Sequence, residues 1–290
     1  MDTMPMIDQF TDSQLERLAG CPWCSTEDAS PLFSENGFSY VECRKCTLIY
    51  LSVRLKEQYA GLLYEDPAYR SAIYPADAER DGVKRLALLG RLPSDTRVFE
   101  DAAAEGAFVA ACKRQGLRAD GCDPSGQAVR KAKQLFGVEL ARNTLAGCAL
   151  QSGSVDVLAS FNLLSHLYHP WKYMKEASRL LTPRGVWLLR TGDRSGRMKR
   201  IRWGKWSAPE HVFHYNHRVL AEMMEAAGLE MWKIQPAFDC AYPYFLFDFT
   251  RHCDGFIKLK ALKLCSWTAT AWTKLGLPKE DVYIFARRRR

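Results

Sequence analysis

The sequence predicts an α/β protein in which a small metal-held module precedes a mostly parallel sheet. Strand and helix patterns alternate from about residue 80 onward, which is typical of parallel strands joined by helices. Before them, four cysteines form two Cys-x-x-Cys pairs that are eighteen residues apart. The chain has 290 residues, of which 47 % are apolar. It is therefore long and apolar enough to bury a sizeable core.

The pattern divides the chain into four parts. Residues 1–20 form a polar lead, residues 21–54 the cysteine module, residues 55–80 a connector rich in tyrosine, and residues 81–290 the α/β domain. Strands of the domain are predicted over residues 97–101, 117–122, 155–161, 186–190, 230–234 and 281–286. Helices are predicted over residues 81–89, 106–115, 125–135, 171–181, 218–227 and 256–275. Ser125 and Asn216 are the predicted N-caps of two of these helices.

The two cysteine pairs have the spacing of a metal site. Cys21 and Cys24 form the first pair, and Cys43 and Cys46 form the second. Four thiolates presented in this way suit the tetrahedral geometry that Zn²⁺ prefers, and they leave no coordination position open. The zinc is therefore expected to hold a small ribbon rather than to do chemistry. Since a segment of about thirty residues buries too little apolar surface to fold unaided, we expect metal-driven folding, separate from the α/β domain.

Three segments of the α/β domain resemble those of a known family. They are VFEDAAAEGAF at residues 98–108, SVDVLASFNLLSHLYHP at residues 154–170 and LLTPRGVWLL at residues 180–189. In this order they resemble the class I S-adenosylmethionine-dependent methyltransferases, in the branch that carries a cysteine knuckle before the catalytic domain. The resemblance implies a Rossmann-like, mostly parallel sheet of seven strands. It also implies S-adenosylmethionine as the cofactor and methyl transfer as the activity.

The resemblance further implies which residues line the cofactor. They are Glu100, Gly106, Asp123, Leu145 and Asn162. Asp123 stands where the family has a carboxylate for the ribose hydroxyls, although Asp-Pro-Ser is also an ordinary turn with a helix cap. In the glycine-rich first motif, Ala102 and Ala104 replace two glycines of the family. A methyl group at these positions disfavours a positive φ and hinders close approach of the backbone to a ligand.

Two histidines are the candidate acid/base residues. His166 follows the strand predicted over residues 155–161. His211 lies in WSAPEHVFHY at residues 206–215, which resembles the segment over the family's acceptor pocket. A histidine there, with a pKa near neutrality, can take the proton from a hydroxyl or amine as it attacks the methyl group. A purely structural role for His211 is the alternative.

The net charge of the chain favours anionic partners. Lys plus Arg is 41 and Asp plus Glu is 33, which leaves +8. Six basic residues and no acidic ones occur from Arg194 to Lys205, which suggests a phosphorylated or nucleotide-linked acceptor. A solvated loop without such a role is the alternative. The basic amphipathic helix over residues 256–275 either contacts an anionic membrane surface or packs on its own domain. No RNA-binding motif with stacking aromatics is visible, so nucleic acid is not favoured as a partner.

The predicted function is methyl transfer from S-adenosylmethionine to a small anionic metabolite or a glycolipid-type intermediate. No stretch approaches ~18 apolar residues, and no signal peptide is visible at residues 1–20, so the expected location is the cytoplasm. Two alternatives stay open. One is a degenerate methyltransferase fold that serves as a binding or scaffolding module, suggested by Ala102, Ala104 and Ser165, which stands where the family usually has a glutamate. The other is an RNA-modifying enzyme guided by the ribbon and the basic loop.

Overall fold

A computed structural model describes residues 5–64, 78–195, 206–237 and 281–289. Its strands are β1 (Leu15–Arg17), β2 (Ala29–Glu35), β3 (Phe38–Cys43), β4 (Ile49–Leu51), β5 (Val53–Leu55), β6 (Arg97–Asp101), β7 (Arg118–Cys122), β8 (Val155–Phe161), β9 (Leu181–Gly192), β10 (Phe213–His214), β11 (Leu229–Pro236) and β12 (Asp281–Arg288). Its α-helices are α1 (Ala78–Ala87), α2 (Ala107–Arg114), α3 (Gly126–Phe136), α4 (Pro170–Leu180) and α5 (His217–Ala226). The helix predicted over residues 256–275 lies outside the described residues.

Six of these strands form the central sheet, in the order β11-β12-β9-β8-β6-β7. Strands β6, β7, β8 and β9 run parallel to one another, whereas β12 is antiparallel to both of its neighbours. Parallel strands need crossover connections, and α2, α3 and α4 lie in these connections. The predicted mostly parallel α/β sheet is confirmed.

The seventh position of the sheet is occupied by a single residue in the described part of the chain. Ala141 forms an isolated parallel bridge with Cys122 on the outer side of β7. Its N–H donates to the carbonyl of Gly121 at 3.0 Å, and its carbonyl accepts from the N–H of Asp123 at 3.0 Å. The seven strands of the prediction are therefore six strands and one bridge here, because residue 141 alone runs beside the end of β7.

Local capping chemistry places two helices as predicted. The Ser125 side chain accepts from the N–H of Ala128 at the start of α3, and the Asn216 side chain accepts from the N–H of Val219 at the start of α5. Such caps satisfy backbone donors that the first turn of a helix leaves without partners. None of the helices in the described ranges has the length and apolar character needed to cross a lipid bilayer.

The cysteine module contains an antiparallel sheet in the order β10-β4-β3-β2. An Asn36-Gly37 turn joins β2 to β3, with φ of 55° and 81°, the backbone that a two-residue hairpin of this type requires. The fourth strand, β10, comes from far along the chain: Phe213 pairs with Tyr50 and His214 with Ile49. We call residues 21–55 the ribbon.

The ribbon and the α/β domain share one hydrophobic core. Phe38 and Leu51 of the ribbon belong to the same buried cluster as Trp187, Leu220 and Ile284 of the domain, and all five side chains are fully buried. The expectation of separate folding stays a prediction, and the shared core favours one cooperative unit instead, because the domain supplies both a strand and packing partners to the ribbon. The boundaries predicted at residues 20, 54 and 80 stay predictions.

Candidate functional site

The four cysteines of the ribbon converge on one point. The Sγ atoms of Cys21 and Cys46 are 3.5 Å apart, as are those of Cys24 and Cys43, and all four lie within 4.8 Å of one another. A tetrahedral Zn²⁺ with Zn–S bonds of about 2.3 Å separates its sulfurs by about 3.8 Å. The residues therefore fit a four-sulfur zinc site, in which no coordination position is left for a substrate.

The electrostatics of the cysteines also favour a cation. A hydrogen bond from Cys46 lowers the pKa of Cys21 to about 5, while the same contact raises the pKa of Cys46. One thiolate thus opposes ionisation of its neighbour, since two negative sulfurs so close together repel each other. A divalent cation between them removes this conflict and stabilises all four thiolates.

The loop after β6 keeps a left-handed backbone at alternate residues. Ala102, Ala104 and Gly106 have φ of 55°, 50° and 72°. The loop is fastened to the end of β7, because the N–H of Ala103 donates to the carbonyl of Cys122 at 3.0 Å and the N–H of Ala104 donates to Asp123 Oδ2 at 3.0 Å. The two alanines therefore adopt the conformation that glycine takes freely, despite the steric cost of their methyl groups.

Asp123 lies directly beyond the C-terminal end of β7. One of its carboxylate oxygens accepts from Ala104 and the other from the N–H of Ser125 at 2.8 Å. Since each carboxylate oxygen has two acceptor sites, this arrangement is compatible with further hydrogen bonds from a diol. The turn and the helix cap at Asp-Pro-Ser are therefore confirmed, and the contact of Asp123 with the ribose hydroxyls stays a prediction.

Glu100 is the penultimate residue of β6 and is 3 % exposed. Burial raises the pKa of its carboxyl to about 8, and a hydrogen bond from the N–H of Val109 and the charge of Arg85 oppose this shift. Its Oε2 atom is buried without a hydrogen-bond partner. An unsatisfied buried acceptor is costly, so Glu100 fits a donor group such as the amine of S-adenosylmethionine.

Of the remaining predicted cofactor residues, Asn162 lies at the same edge of the sheet as Asp123. Asn162 follows β8, has φ of 57° and is exposed. Leu145 begins the short 3-10 helix Leu145–Cys148 and is 3 % exposed. Because β6, β7 and β8 are parallel neighbours, their C-terminal ends bring Asp123 and Asn162 to one edge, on which α/β folds bind their ligands.

His166 and His211 are brought together beside this edge. His166 ends the 3-10 helix Leu164–His166 that follows β8, and its Nδ1 atom lies 3.3 Å from Glu210 Oε1. The imidazole rings of His166 and His211 are 4.7 Å apart between centroids and nearly perpendicular. We call His166, Glu210 and His211 the histidine cluster. One side-chain nitrogen of each histidine and one carboxylate oxygen of Glu210 lie within 4.8 Å of one another.

Burial sets the protonation states of the histidine cluster. It lowers the pKa of His211 to about 4, with a contribution from the positive charge of Arg194, and it lowers the pKa of His166 as well. The expectation of a near-neutral pKa for His211 is therefore wrong. Burial also raises the pKa of Glu210 to about 8. At pH 7 both imidazoles are neutral, which is the state that a general base requires, and the lowered pKa makes His211 a weaker base than an ordinary histidine.

Arg194 is the residue of the predicted basic loop nearest to this site in the described chain. Its guanidinium carbon lies 4.4 Å from the centroid of the Trp206 ring, a cation–π arrangement. The basic residues at positions 197 to 205 lie outside the described residues.

Sequence reasoning missed two residues that the structure places at the site. Glu210 precedes His211 directly, and an acidic residue next to a candidate base is a signal that was available. Tyr40 of the ribbon donates from its hydroxyl to the carbonyl of His211 at 2.8 Å. These two residues are separated by 171 positions, and no local pattern connects them.

Comparisons with known proteins agree with this geometry. A family model described as "Methyltransferase domain" matches residues 74–234, more than half of the chain. A curated protein of Mycolicibacterium smegmatis (strain ATCC 700084 / mc(2)155), named as a probable S-adenosylmethionine-dependent methyltransferase, is 32 % identical over 98 residues. That match covers 32 % of this chain and 36 % of the relative, so this chain spans about a third of the length of the curated relative that it matches.

Solved structures show the same fold at low sequence identity. The 1,6-didemethyltoxoflavin-N1-methyltransferase of Burkholderia thailandensis, solved with 1,6-didemethyltoxoflavin and S-adenosylhomocysteine, has a TM-score of 0.53 and 17 % identity, over 90 % of this chain and 100 % of that chain. The [4+2]-cyclase SpnF has a TM-score of 0.52 and 16 % identity, over 73 % of this chain and 81 % of that chain. Fold and family model agree: the chain belongs to the class I S-adenosylmethionine-dependent methyltransferases.

Proposed function

We propose that this protein transfers a methyl group from S-adenosylmethionine to an O–H, N–H or acidic C–H group of a small anionic acceptor. The observation that carries the proposal is the position of the histidine cluster. Two neutral imidazoles lie beside the sheet edge that also carries Asp123 and the loop at residues 102–106. A proton acceptor and the predicted cofactor residues thus occupy one end of the sheet.

The residues of the chain have separate tasks in this proposal. Asp123 accepts hydrogen bonds from the ribose hydroxyls, and the loop at residues 102–106 supports the methionine part of the cofactor. The bound cofactor supplies an activated methyl sulfonium. Because the methyl group is already activated, the protein mainly has to hold the acceptor in line with it and to remove one proton. His211 takes this proton, and His166 with Glu210 packs against it as the second acid/base group.

An anionic acceptor is supported by charge. The chain carries a net +8, and Arg194 is close enough to His211 for its charge to lower the pKa of that residue. The planar guanidinium of arginine can bind a phosphate or a carboxylate through two parallel hydrogen bonds. We therefore propose a phosphorylated or nucleotide-linked metabolite, or a glycolipid-type intermediate. Contact with a membrane surface through residues 256–275, and a cytoplasmic location, remain predictions.

Calorimetric titration with S-adenosylmethionine and S-adenosylhomocysteine tests the first step. We expect saturable binding, and its absence up to about 1 mM would contradict the enzymatic function and favour the scaffolding alternative. Transfer of labelled methyl groups to matched phosphorylated and dephosphorylated acceptors then tests the substrate class. His211→Asn is expected to abolish transfer, whereas His217→Asn, an exposed histidine of the same region, serves as the matched control.

The backbone conformation of the loop at residues 102–106 bears on the scaffolding alternative. A fold released from cofactor binding has no need to keep a strained backbone, yet Ala102 and Ala104 keep positive φ. This retained conformation supports the enzymatic function over the alternative.

A further inference from the structure

The ribbon contacts the segment that carries His211 with several hydrogen bonds. We call residues 206–212 the base segment. The hydroxyl of Tyr40, on β3 of the ribbon, donates to the carbonyl of His211 at 2.8 Å and to the carbonyl of Trp206 at 3.1 Å. A hydroxyl has one proton, so this is a three-centre bond that joins the two ends of a turn. Tyr40 is fully buried.

The hairpin of the ribbon holds the middle of the base segment. The Asn36 side chain donates from Nδ2 to the carbonyl of Ala208 at 2.7 Å, and the N–H of Ala208 donates to Glu35 Oε2 at 2.8 Å. Both backbone groups of Ala208 are thus satisfied by two adjacent residues of the β2–β3 turn. Three residues later the chain reaches His211.

The residue after His211 links the ribbon to the rest of the site. The N–H of Leu51, on β4, donates to the carbonyl of Val212 at 3.1 Å, and the N–H of Val212 donates to the carbonyl of Ser165 at 2.8 Å. Ser165 immediately precedes His166. The relative positions of the two histidines are therefore defined on one side by the ribbon and on the other by the turn after β8.

We propose that the ribbon positions the catalytic base, with Tyr40 as the positioning residue for His211. This inference rests on the proposed function, in which His211 removes the proton. The ribbon then acts at the acceptor end of the site without contacting cofactor or acceptor itself. Loss of the Tyr40 hydroxyl removes the 2.8 Å bond to the carbonyl of His211, whereas the carbonyl of Trp206 keeps its contact with His214 Nε2 at 3.1 Å. A carbonyl that loses its partner costs more than the bond itself, so the His211 end of the base segment is expected to open.

The test measures His211 directly, with no acceptor required. Tyr40→Phe keeps the aromatic packing and removes the hydroxyl. Carbethoxylation of each histidine by diethyl pyrocarbonate is followed by peptide mass spectrometry in the full chain. We expect the carbethoxylation rate of His211 to rise roughly fivefold to tenfold, because one hydrogen bond of ordinary net strength is lost. The rate at the exposed His217 is expected to stay unchanged. Binding of S-adenosylmethionine, measured by calorimetry, is expected to stay unchanged.

Two further variants separate positioning from general loosening. Asn36→Ala removes the hydrogen bond to the carbonyl of Ala208 and is also expected to raise the carbethoxylation rate of His211. This variant keeps the proposal testable if Tyr40→Phe fails to fold. Ser34→Ala is the matched control, because its hydroxyl bonds to Ser39 at 2.8 Å within the same hairpin, and it is expected to leave His211 unchanged. Unchanged His211 rates in both test variants, or equal increases at His211 and His217, would overturn the proposal.

The design also separates this proposal from the proposed function. Absence of S-adenosylmethionine binding in the unaltered protein contradicts methyl transfer but leaves the reactivity of His211 measurable. With an acceptor in hand, Tyr40→Phe is expected to lower kcat while the KM for S-adenosylmethionine stays the same. A rise in that KM with unchanged kcat would contradict the positioning role.

Discussion

Glycine at positions 102 and 104 is expected to stabilise the protein, and the structure sets the size of the effect. Both alanines have φ near 50°, a left-handed conformation that costs a residue with a Cβ atom about 1 to 2 kcal/mol. Glycine avoids this cost but loses about 0.5 to 1 kcal/mol more on ordering, because its unfolded chain is freer. The net gain is about 0.5 to 1 kcal/mol at each site.

For the double variant Ala102→Gly/Ala104→Gly this amounts to about 1 to 2 kcal/mol. A chain of this size gains roughly 2 to 4 °C in Tm for each kcal/mol, which scanning calorimetry resolves. Ala103→Gly is the matched control: Ala103 lies between the two sites, is 4 % exposed and is absent from the positive-φ residues. The free energy of unfolding of Ala103→Gly is expected to fall by about 1 kcal/mol, because glycine relieves no strained backbone there and removes a buried methyl group.

The same variants test whether the loop serves the cofactor. Removal of two methyl groups at the loop lets the backbone approach a ligand more closely, so the affinity for S-adenosylmethionine is expected to stay equal or to rise. If Ala102→Gly and Ala104→Gly lower Tm as much as Ala103→Gly does, the argument from backbone strain is refuted. If the unaltered protein fails to bind and the double variant binds, the scaffolding alternative gains.

Three further predictions concern the carboxylates and the metal. Asp123→Asn is expected to weaken binding of S-adenosylmethionine by about 1.5 to 3 kcal/mol in titration calorimetry, the value of hydrogen bonds to a charged group. The control Asp120→Asn, at an exposed position, is expected to bind as tightly as the unaltered protein. Burial raises the pKa of Glu210 from 4.5 to about 8, so between these pH values the folded protein holds a proton that the unfolded chain releases. The free energy of unfolding therefore falls as the pH rises from 4.5 to about 8. The Tm of Glu210→Gln should therefore exceed that of the unaltered protein by more at about pH 8.5 than at about pH 5, and a constant difference would contradict the shift. Elemental analysis is expected to find one zinc per chain in the unaltered protein and in the control Cys148→Ser, and none in Cys43→Ser. Because β4 pairs with β10, Cys43→Ser should melt at a lower temperature in a single transition. A second transition at the Tm of the unaltered protein would refute the coupling between the ribbon and the α/β domain.

Local patterns in the sequence were sufficient to predict most strands and helices of the α/β domain and the convergence of four cysteines. The caps at Ser125 and Asn216 were predicted correctly, since a cap depends on residues three positions apart. The cysteine spacing was likewise sufficient to predict that four sulfurs meet, because each pair lies on one turn of the chain. The alternation of strands and helices, together with the crossover rule, predicted the parallel sheet.

Only the tertiary structure decided how these parts are joined and charged. Strand β10 enters the sheet of the ribbon, and Tyr40 reaches His211, although 171 positions of sequence separate them. Such contacts depend on how whole surfaces pack, and no local period encodes them. The pKa of His211 is low for the same reason, since burial by distant segments, and not the residue type, determines how much the charged imidazole is disfavoured.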